Sequence, residues 1–406
     1  MAVLAIDFGT SNTAAAVLDH NGKPSILPLE DGQDTLPTAV FLDFSKRRAV
    51  YGRAAARAMM DGEDGRFLRA LKSILGTSLA REKRQFLNER LTLIDIIARF
   101  LAEIRARAER ATGQTFDAAF SGRPVHFHSA DASRDAQALA DLTEAYRRAG
   151  FKTVDFLPEP EAAALTAPGS GRMLIVDIGG GTSDFTLCDR HGERTKVLAS
   201  RGIRLGGTDA DRMLSLSHAM PLLGYGAEIG DEFGQNYHPA PRALFQDLAS
   251  WEKIAFLYDP ALLRDVQRWV RVARKPVLFE RLATVLDMHL GHDVAYAVEA
   301  GKIAANGAPS AHVPLDVVQT GLGFDLDGTA VSAELAAFAD QIALEARATL
   351  ADAGCTADQV SQIVFVGGSS LLTPVRAALS KAFPGTAQVD AEVFTAVVHG
   401  LARATA

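Results

Sequence analysis

Two short segments of this chain follow one pattern, and their aspartates stand 170 positions apart. Residues 3–12 read VLAIDFGTSN, and residues 174–184 read LIVDIGGGTSD. Each is an apolar strand that ends in an aspartate, followed by a glycine turn, the pair Thr-Ser, an Asn or Asp, and a second apolar strand. One glycine turn between strands is common, whereas two copies with a matched aspartate, Asp7 and Asp177, are specific. The repeat predicts two similar lobes that close on one ligand.

The residue types of these turns suit phosphate and a divalent ion. Glycine lets backbone N–H groups approach a phosphate closely, and threonine and serine hydroxyls add donors. An aspartate beside such a turn suits hydrated Mg²⁺, which prefers carboxylate and water oxygens. The alternative is that Asp7 and Asp177 only end their strands, since Asp is a frequent turn former. Because the pair recurs in one context, the sequence favours a nucleotide site.

A third glycine turn, Gly367-Gly368-Ser369, follows the apolar run at 363–366. Ligands of doubly wound sheets lie beyond the carboxyl ends of the strands, so this turn suits a nucleoside. Taken alone, it could be a tight connection from strand to helix.

Composition restricts the class of protein. The 406 residues are too many for one simple core, so two large lobes are expected. A net charge of −7 argues against a surface that coats nucleic acid. The two cysteines, Cys188 and Cys355, have no spacing typical of disulfides or zinc. The sequence shows no signal peptide and no membrane span. We therefore expect a cytoplasmic protein with no membrane or nucleic-acid partner.

Local sequence patterns predict helices, strands and the boundary between the lobes. A helix is predicted over 93–111, with Thr92 and Asp95 as a capping pair, and a strand over 116–128. The glycine- and proline-containing stretch 167–171 predicts the lobe boundary. Lobe I is thus 1–170, with an outer subdomain at about 41–116. Lobe II is 171–406, with an enlarged outer subdomain at about 212–312 and a final helix at about 393–404 that packs back toward lobe I.

Four motifs resemble the ATPase domain of the heat shock protein 70 (DnaK-like) chaperones. They are Asp7 to Asn12, Glu159-Pro160 with the following alanines, Asp177 to Asp184, and Val366 to Ser369. The resemblance covers residues 2 to about 402. It implies an α/β fold of the two-lobed, actin-like ATPase type, built from duplicated ribonuclease H-like domains. It also implies ATP or ADP and Mg²⁺ as ligands.

The resemblance assigns the catalytic roles. The run at 68–76 is similar to the family segment that carries a lysine, so Lys72 is expected to stabilise the γ-phosphate and position the attacking water. Without the family, Lys72 reads as a surface lysine on a helix. Glu159, Asp184 and Thr182 are the other expected catalytic residues. Asp7 and Asp177 are expected to hold Mg²⁺ through water.

The same resemblance assigns the nucleotide contacts. The residues expected at the phosphates are Gly9, Thr10, Ser11, Asn12, Gly179, Gly180, Gly181, Thr182, Gly206 and Gly207. Those expected at the nucleoside are Glu299, Lys302, Ile303, Asn306, Gly367, Gly368, Ser369 and Leu371. Pro124, with Glu159, resembles a relay to the outer surface, and Arg134 is a looser candidate for it.

Three departures from the family are visible. Ile303 and Leu371 stand where the familiar chaperones have two arginines that stack on adenine, so the base loses a cation–π contribution. The segment between Asp209 and Glu299 is longer than usual in the family. It carries an aromatic set that is interpreted as core of the enlarged outer subdomain or as a partner groove: Trp251, Phe256, Tyr258 and Trp269. The sequence ends where the chaperones continue into a peptide-binding domain, so it resembles the short members of the family.

These observations predict a Mg²⁺-dependent ATPase with a chaperone-like or regulatory role and a protein partner of unknown identity. Three alternatives stay open: a non-hydrolysing ATP-binding module, a small-molecule kinase of the same superfamily, and a polymer-forming actin-like protein. The pair His126 and His128 could bind metal, but no third ligand is evident in the sequence.

Overall fold

The computed structural model describes residues 2–30, 32–167, 169–192, 194–231, 236–391 and 395–406. Pro168 of the predicted lobe boundary and Val393 at the predicted start of the last helix lie outside these residues. Within the part of the chain that the structure describes, no helix is both long and apolar enough to cross a bilayer.

The strands are short, and most belong to two larger sheets. In chain order they are β1 (Val3–Phe8), β2 (Asn12–Leu18), β3 (Pro24–Ile26), β4 (Leu36–Pro37), β5 (Ala39–Asp43), β6 (Arg48–Tyr51), β7 (Gly65–Arg69), β8 (Arg84–Phe86), β9 (Glu89–Leu91), β10 (Ala118–Arg123), β11 (Thr153–Pro158), β12 (Gly171–Ile178), β13 (Ser183–His191), β14 (Arg194–Ile203), β15 (Glu228–Gly230), β16 (Tyr237–Pro239), β17 (Ser310–Pro314), β18 (Gly323–Asp327), β19 (Gln362–Val366) and β20 (Ala387–Asp390).

The helices range from single turns to 20 residues. In chain order they are α1 (Arg53–Met60), α2 (Ser78–Arg81), α3 (Leu93–Thr112), α4 (Ala132–Arg148), α5 (Glu159–Ala164), α6 (Gly207–Leu214), α7 (Met220–Leu222), α8 (Arg242–Leu248), α9 (Pro260–Val272), α10 (Pro276–Asp287), α11 (Gly291–Ala305), α12 (Gly328–Glu334), α13 (Ala336–Asp352), α14 (Thr373–Ala382) and α15 (Ala396–Arg403).

The two larger sheets have the same topology. The first runs β11-β10-β1-β2-β3, and the second runs β14-β13-β12-β19-β20. In each, the strand before the glycine turn pairs antiparallel with the strand after it and parallel with a strand from later in the chain. This duplication confirms the predicted fold class, an α/β fold of the two-lobed, actin-like ATPase type.

Small buried residues form the core between helices α5 and α15 and the strands on which they pack. Buried alanines of α5 pack with Val398 and Leu401 of α15 and with Ile175 of β12. Gly400 fits where no side chain could, because its Cβ would overlap the carbonyl of Ala162. Small residues allow this close backbone approach, which sets α5, and the glutamate at its start, against β10 and β12.

Local sequence signals explain several boundaries. Thr92 and Asp95 form the predicted capping box, which confirms the start of α3. The strand predicted over 116–128 is wrong at its end, because β10 stops at Arg123. Proline at 124 has no N–H to donate to a strand ladder, so the chain leaves the sheet there.

Contacts divide the chain into two compact units. Unit 1 comprises Met1–Gly207 with Phe338–Ala406, and unit 2 comprises Thr208–Ala337. Both larger sheets belong to unit 1. Unit 2 contains the β17–β18 hairpin packed on α11, and the pair α9 and α10, in which Trp269 meets Phe279 edge to face. The predicted lobe boundaries stay a prediction.

Candidate functional site

The first glycine turn joins β1 to β2 and is held from both sides. The Gly9 amide donates to the Asn12 carbonyl at 3.1 Å. Thr38 is fully buried, and it donates its hydroxyl to the Gly9 carbonyl at 2.8 Å and its amide to the Ser11 carbonyl at 2.9 Å. Thr10 is buried at the tip of the turn. The turn is therefore fixed by the protein itself, although nothing in the sequence marked Thr38 as its support.

The second glycine turn joins β12 to β13 and closes in the same way. The Gly179 amide donates to the Thr182 carbonyl at 3.0 Å, as Gly9 does to Asn12. The carbonyl of Gly179 in turn accepts a hydrogen bond from the Gly207 amide at 2.9 Å. Gly207 begins α6, so the start of this helix lies beside the turn. The matching bonds make Thr182 the counterpart of Asn12.

Strand register corrects one part of the sequence comparison. In the first hairpin Asp7 lies opposite Ala14, and in the second Asp177 lies opposite Asp184. The counterpart of Asp184 is thus Ala14, and matching Asp184 to Asn12 by their letters was wrong by two positions. The error arose because Thr-Ser occurs in both segments at different places in the turn.

The two turns face each other at very short range. A Cβ built on Gly180 would lie 2.5 Å from the Ser11 hydroxyl and 3.2 Å from Cβ of Thr10. A Cβ on Gly181 would lie 2.9 Å from the Ser73 hydroxyl. These distances leave no room for side chains at the two glycines. The second turn therefore presents backbone, while the first presents hydroxyls, at one place.

The third glycine turn approaches the same strand end. Gly367 has φ 77°, which favours glycine, and its Cβ would lie 2.8 Å from a carboxylate oxygen of Asp177. A Cβ on Gly206 would lie 2.6 Å from the Gly180 carbonyl oxygen in the second turn. A Cβ on Gly207 would overlap the hydroxyl of Ser369 in the third turn. Glycines from three parts of the sequence thus line one short stretch of backbone next to Asp177.

Lys72 lies in a buried 3-10 turn, Leu71–Ile74, rather than on the surface of a helix. Its side chain is 5% exposed, and Nζ lies 2.5 Å from Oε1 of Glu159. Ala70, just before the turn, has φ 57°, a conformation that costs energy for a residue with a side chain. Placing a lysine beside Glu159 thus requires an unusual backbone, which the surrounding structure must maintain.

Four carboxylates, those of Asp7, Asp177, Asp184 and Glu159, surround this one lysine, and burial together with crowding raises the pKa of the three aspartates. Burial, followed by repulsion from Glu159, raises the pKa of Asp7 to about 7 and that of Asp184 to about 8. Burial and repulsion from the other carboxylates raise the pKa of Asp177 well above its usual range. Burial would lower the pKa of Lys72, but the carboxylates, Glu159 first, raise it instead. The cluster therefore has more negative charge than Lys72 can balance.

The loop after β10 reaches this cluster through its backbone. The amide of Val125 donates to Oδ1 of Asp184 at 2.6 Å. The next two histidines diverge, because His126 is half exposed beside Asp135, whereas His128 is buried and its Nε2 lies 2.7 Å from the Leu75 carbonyl. Their different partners do not support a shared metal ligand role. Among the described residues, no group of three or more His, Cys, Asp or Glu side chains has the arrangement of a directly ligated metal ion.

The other two residues suggested for a surface relay lie near this loop. Pro124 lines a small cavity together with Thr10, Lys72 and Gly181. Arg134 lies in the first turn of α4, where its exposed side chain is 3.8 Å from Asp131. Of these two residues, Pro124 is the one that lies in the same cavity as Lys72.

In unit 2, the residues expected at the ribose lie on α11. Lys302 is buried, and its Nζ lies 2.6 Å from Oδ1 of Asp211. The indole of Trp251 donates to the other oxygen of Asp211 at 3.3 Å. Glu299 is half-buried one helical turn before Lys302, and Asn306 ends the helix. The sequence named Trp251 only as an aromatic residue and did not single out Asp211 as a partner of Lys302.

The two aliphatic residues expected at the base are exposed. Ile303 on α11 in unit 2 is 66% exposed, and Leu371 after the third glycine turn in unit 1 is 42% exposed. Large aliphatic side chains usually gain free energy from burial. Neither side chain is buried in a hydrophobic core.

Comparisons with known proteins agree with this geometry. The model of the Hsp70 protein family matches residues 3–221, more than half of the chain. The chaperone protein DnaK of Ureaplasma urealyticum is 31% identical over 218 residues, which cover 52% of this chain and 34% of that protein. The DnaK proteins of Nitrosopumilus maritimus and Thermoplasma acidophilum are 30% and 31% identical, over 52% of this chain and 33% and 34% of theirs. The chain thus matches about a third of the length of these relatives.

Proposed function

This chain belongs to the Hsp70 family, and we propose that it binds ATP with Mg²⁺ and hydrolyses it to ADP and phosphate. The observation that carries the proposal is the meeting of two equivalent glycine turns beside a buried lysine and four carboxylates. The family match covers both turns and Lys72, Glu159 and Asp184. The residues expected at the nucleoside lie beyond residue 221, and their role rests on the resemblance and on their placement.

The phosphate chain would lie along the two turns. Gly180 and Gly181 bring bare backbone close to the first turn, since a Cβ at Gly180 would strike Ser11 and one at Gly181 would strike Ser73. Thr10 and Ser11 supply hydroxyls from the opposite side. Glycine turns of this kind, with hydroxyls beside them, suit the binding of anions. Because Thr38 fixes the first turn, little reorganisation is needed on binding.

The carboxylate cluster fits a divalent cation. Asp7, Asp177 and Asp184 hold protons more tightly than ordinary aspartates, because their negative charges are buried near one another. A cation would relieve this repulsion, and oxygen ligands are those that Mg²⁺ prefers. We propose that Asp7 and Asp177 hold the ion through water. When bound, Mg²⁺ would neutralise charge on the β- and γ-phosphates.

Lys72, Glu159 and Asp184 would then carry out the reaction. Hydrolysis of ATP requires mainly positioning and charge stabilisation, because the phosphoryl group reacts through a loose transition state. The Lys72 ammonium would stabilise the equatorial oxygens of the γ-phosphate. The attacking water would be oriented by Glu159 and Asp184. A bound cation would favour the ionised form of Asp184, whose pKa is raised in the cation-free cluster, and the ionised carboxylate could accept the proton of the water.

The nucleoside would be held more weakly than the phosphates. Within unit 2, Lys302, held by Asp211, suits the ribose hydroxyls, and the exposed Ile303 offers a base apolar contact without the attraction of an arginine. We propose that selectivity for adenine is low. We further propose that nucleotide state controls a chaperone-like interaction with a protein partner, as the names of the DnaK relatives suggest.

The decisive experiment measures phosphate release with Mg²⁺ and ATP for the wild type and for Lys72→Met, which keeps side-chain length. We expect turnover in the variant to fall about 100-fold or more, because a positioned charge at the transition state has that order of effect. Calorimetry with ADP would show that the variant still binds nucleotide. Equal turnover in both proteins would overturn the hydrolase proposal. Binding of ATP without phosphate release by the wild type would support the non-hydrolysing alternative instead.

A further inference from the structure

The turn that carries Lys72 is held by residues from outside it. It begins after Ala70, with φ 57°, and it is followed by Gly76, with φ 75°. Two left-handed residues therefore flank Lys72, and the backbone between them can change direction at either end. The placement of the lysine depends on what holds the last residues of this segment.

Two buried side chains bind the peptide unit between Leu75 and Gly76. Nε2 of His128 lies 2.7 Å from the Leu75 carbonyl, so Nε2 carries the hydrogen and donates it. Oδ2 of Asp141 accepts a hydrogen bond from the Gly76 amide at 3.0 Å. Both the C=O and the N–H of one peptide unit are thus held. His128 and Asp141 lie 53 and 65 residues from their partners, which explains why spacing did not reveal them.

The imidazole of His128 is itself firmly placed. Oδ1 of Asp135, in the first turn of α4, accepts hydrogen bonds from the amides of Phe127 at 2.6 Å and His128 at 3.2 Å. His128 is 7% exposed and lines the same small cavity as Lys72. Helix α4 therefore fixes the backbone of His128, and His128 fixes the segment behind the lysine.

Another contact to this segment is weaker. The guanidinium of Arg204 donates to the Ser73 carbonyl at 2.8 Å, but this pair is exposed. Water competes for exposed hydrogen bonds, whereas a buried carbonyl that loses its donor has no replacement. His128 therefore contributes more to the position of the turn than Arg204.

We infer that His128 is a positioning residue for Lys72: its hydrogen bond to Leu75 keeps the 3-10 turn in the one conformation that places the lysine ammonium at Glu159 and the phosphate site. The inference rests on the proposed function for its effect on turnover, but not for its effect on the turn itself. It assigns a role to a histidine that the sequence suggested only as a metal ligand.

The first test does not depend on catalysis. Hydrogen exchange of the segment 71–78 is measured in the nucleotide-free protein for wild type, His128→Ala, His128→Gln and His126→Ala. We expect exchange to speed up about tenfold in His128→Ala, the effect of losing one buried hydrogen bond. His128→Gln should stay near wild type, because its amide nitrogen can replace Nε2. His126→Ala, two positions away, should have a much smaller effect, because it removes only a half-exposed contact to Asp135 and leaves the hydrogen bond of His128 in place. Unchanged exchange in His128→Ala would overturn the inference.

The second test separates positioning from general stability. We expect His128→Ala to lower turnover about tenfold while the Kd for ADP changes less than about twofold, with recovery in His128→Gln. On a Lys72→Met background, His128→Ala should cause no further loss. An equal loss on that background, or wild-type turnover in His128→Ala, would contradict the positioning role. If the wild type shows no turnover, the proposed hydrolysis fails, and hydrogen exchange alone decides whether His128 holds the turn.

Discussion

The β1–β2 and β12–β13 hairpins close their turns with equivalent hydrogen bonds but present different chemistry. The first turn carries the side chains of Thr10 and Ser11, and the second carries Gly180 and Gly181 at the facing positions. Opposite the aspartate that ends the first strand, the first hairpin has Ala14 and the second has Asp184. The two hairpins thus share a backbone conformation but carry different side chains, and the hydroxyls of the first face the glycines of the second.

This difference separates two tasks. The first hairpin supplies hydroxyls and one partly exposed aspartate, Asp7, which suits binding. The second supplies bare backbone and two buried carboxylates: Asp177, proposed with Asp7 to hold the ion, and Asp184, whose pKa is raised by burial and then by repulsion from Glu159. Asp184 has no carboxylate counterpart in the first hairpin, and it suits proton transfer once a bound cation favours its charged form. We therefore expect substitutions in the second hairpin to affect turnover more than the corresponding ones in the first.

The largest difference is expected between Asp184→Asn and Asn12→Ala, the pair that the letters of the sequence equate. Asp184→Asn keeps an oxygen for the Val125 amide but loses the proton acceptor, so turnover should fall about 100-fold or more. Asn12→Ala keeps the carbonyl that closes the turn and should lose less than about fivefold. Phosphate release at saturating ATP measures both. Equal losses would show that the register does not separate the two roles.

Stability should depend on pH differently for the two hairpins. A carboxyl with a raised pKa stays protonated in the folded protein at pH values where the same group is ionised in the unfolded chain. Between the unfolded and the folded pKa, the free energy of unfolding of the wild type therefore falls as pH rises. Relative to wild type, Asp184→Asn should gain about 1.4 kcal/mol in free energy of unfolding per pH unit, up to about pH 8. For Asp7→Asn the gain should stop near pH 7.

Urea unfolding at pH 5, 6, 7, 8 and 9, without nucleotide and with a chelator present, measures these windows. The difference between each variant and the wild type removes contributions from other titrating groups. A flat difference for Asp184→Asn across this range would show that its carboxyl is not held protonated by burial and by Glu159.

The complementarity of the turns predicts a smaller, reciprocal effect. Gly180→Ala places a Cβ against the Ser11 hydroxyl and should weaken ATP binding about tenfold, because the turns must separate. Removing that hydroxyl with Ser11→Ala in the same protein should restore part of the loss, since the nearest remaining atom of the first turn would be 3.2 Å away. Gly22→Ala, where no atom lies within 4 Å but φ is positive, controls for glycine replacement alone. Additive losses in the double variant would contradict the proposed contact.

The sequence predicted the features that depend on local pattern. The duplicated strand, turn and strand at Asp7 and Asp177 predicted two similar lobes, and the Thr92 cap marked the start of α3. The fold class itself followed from the resemblance of the four motifs to a known family. It did not predict contacts between distant segments, such as Thr38 with Gly9 or His128 with Leu75. Such pairs have no periodicity, because each depends on how whole elements pack.

Lys72 shows where this limit lies. By its local pattern it reads as a surface lysine on a helix, and only the family resemblance suggested a role in the site. The structure buries it beside Glu159, 87 residues away, in a turn that starts with a left-handed alanine. An alanine with positive φ leaves no signal in the sequence, since alanine usually favours a helix. The assigned role of Lys72 in catalysis therefore stays a prediction until turnover is measured.

The smallest expected effect concerns the base rather than the hairpins. Leu371→Arg and Ile303→Arg, made singly at these exposed positions, should each strengthen ATP binding about two- to fivefold, because a guanidinium over a base adds about 0.5–1 kcal/mol. Tripolyphosphate, which has no base, is the matched ligand for calorimetry, and Leu371→Lys is a control for added charge. If the variants bind tripolyphosphate more tightly by the same factor as ATP, the added charge attracts the phosphates, and contact with the base is not the cause. A gain for ATP alone would show that the two hairpins already supply the phosphate contacts, and that the weak part of the site is the apolar contact to the base.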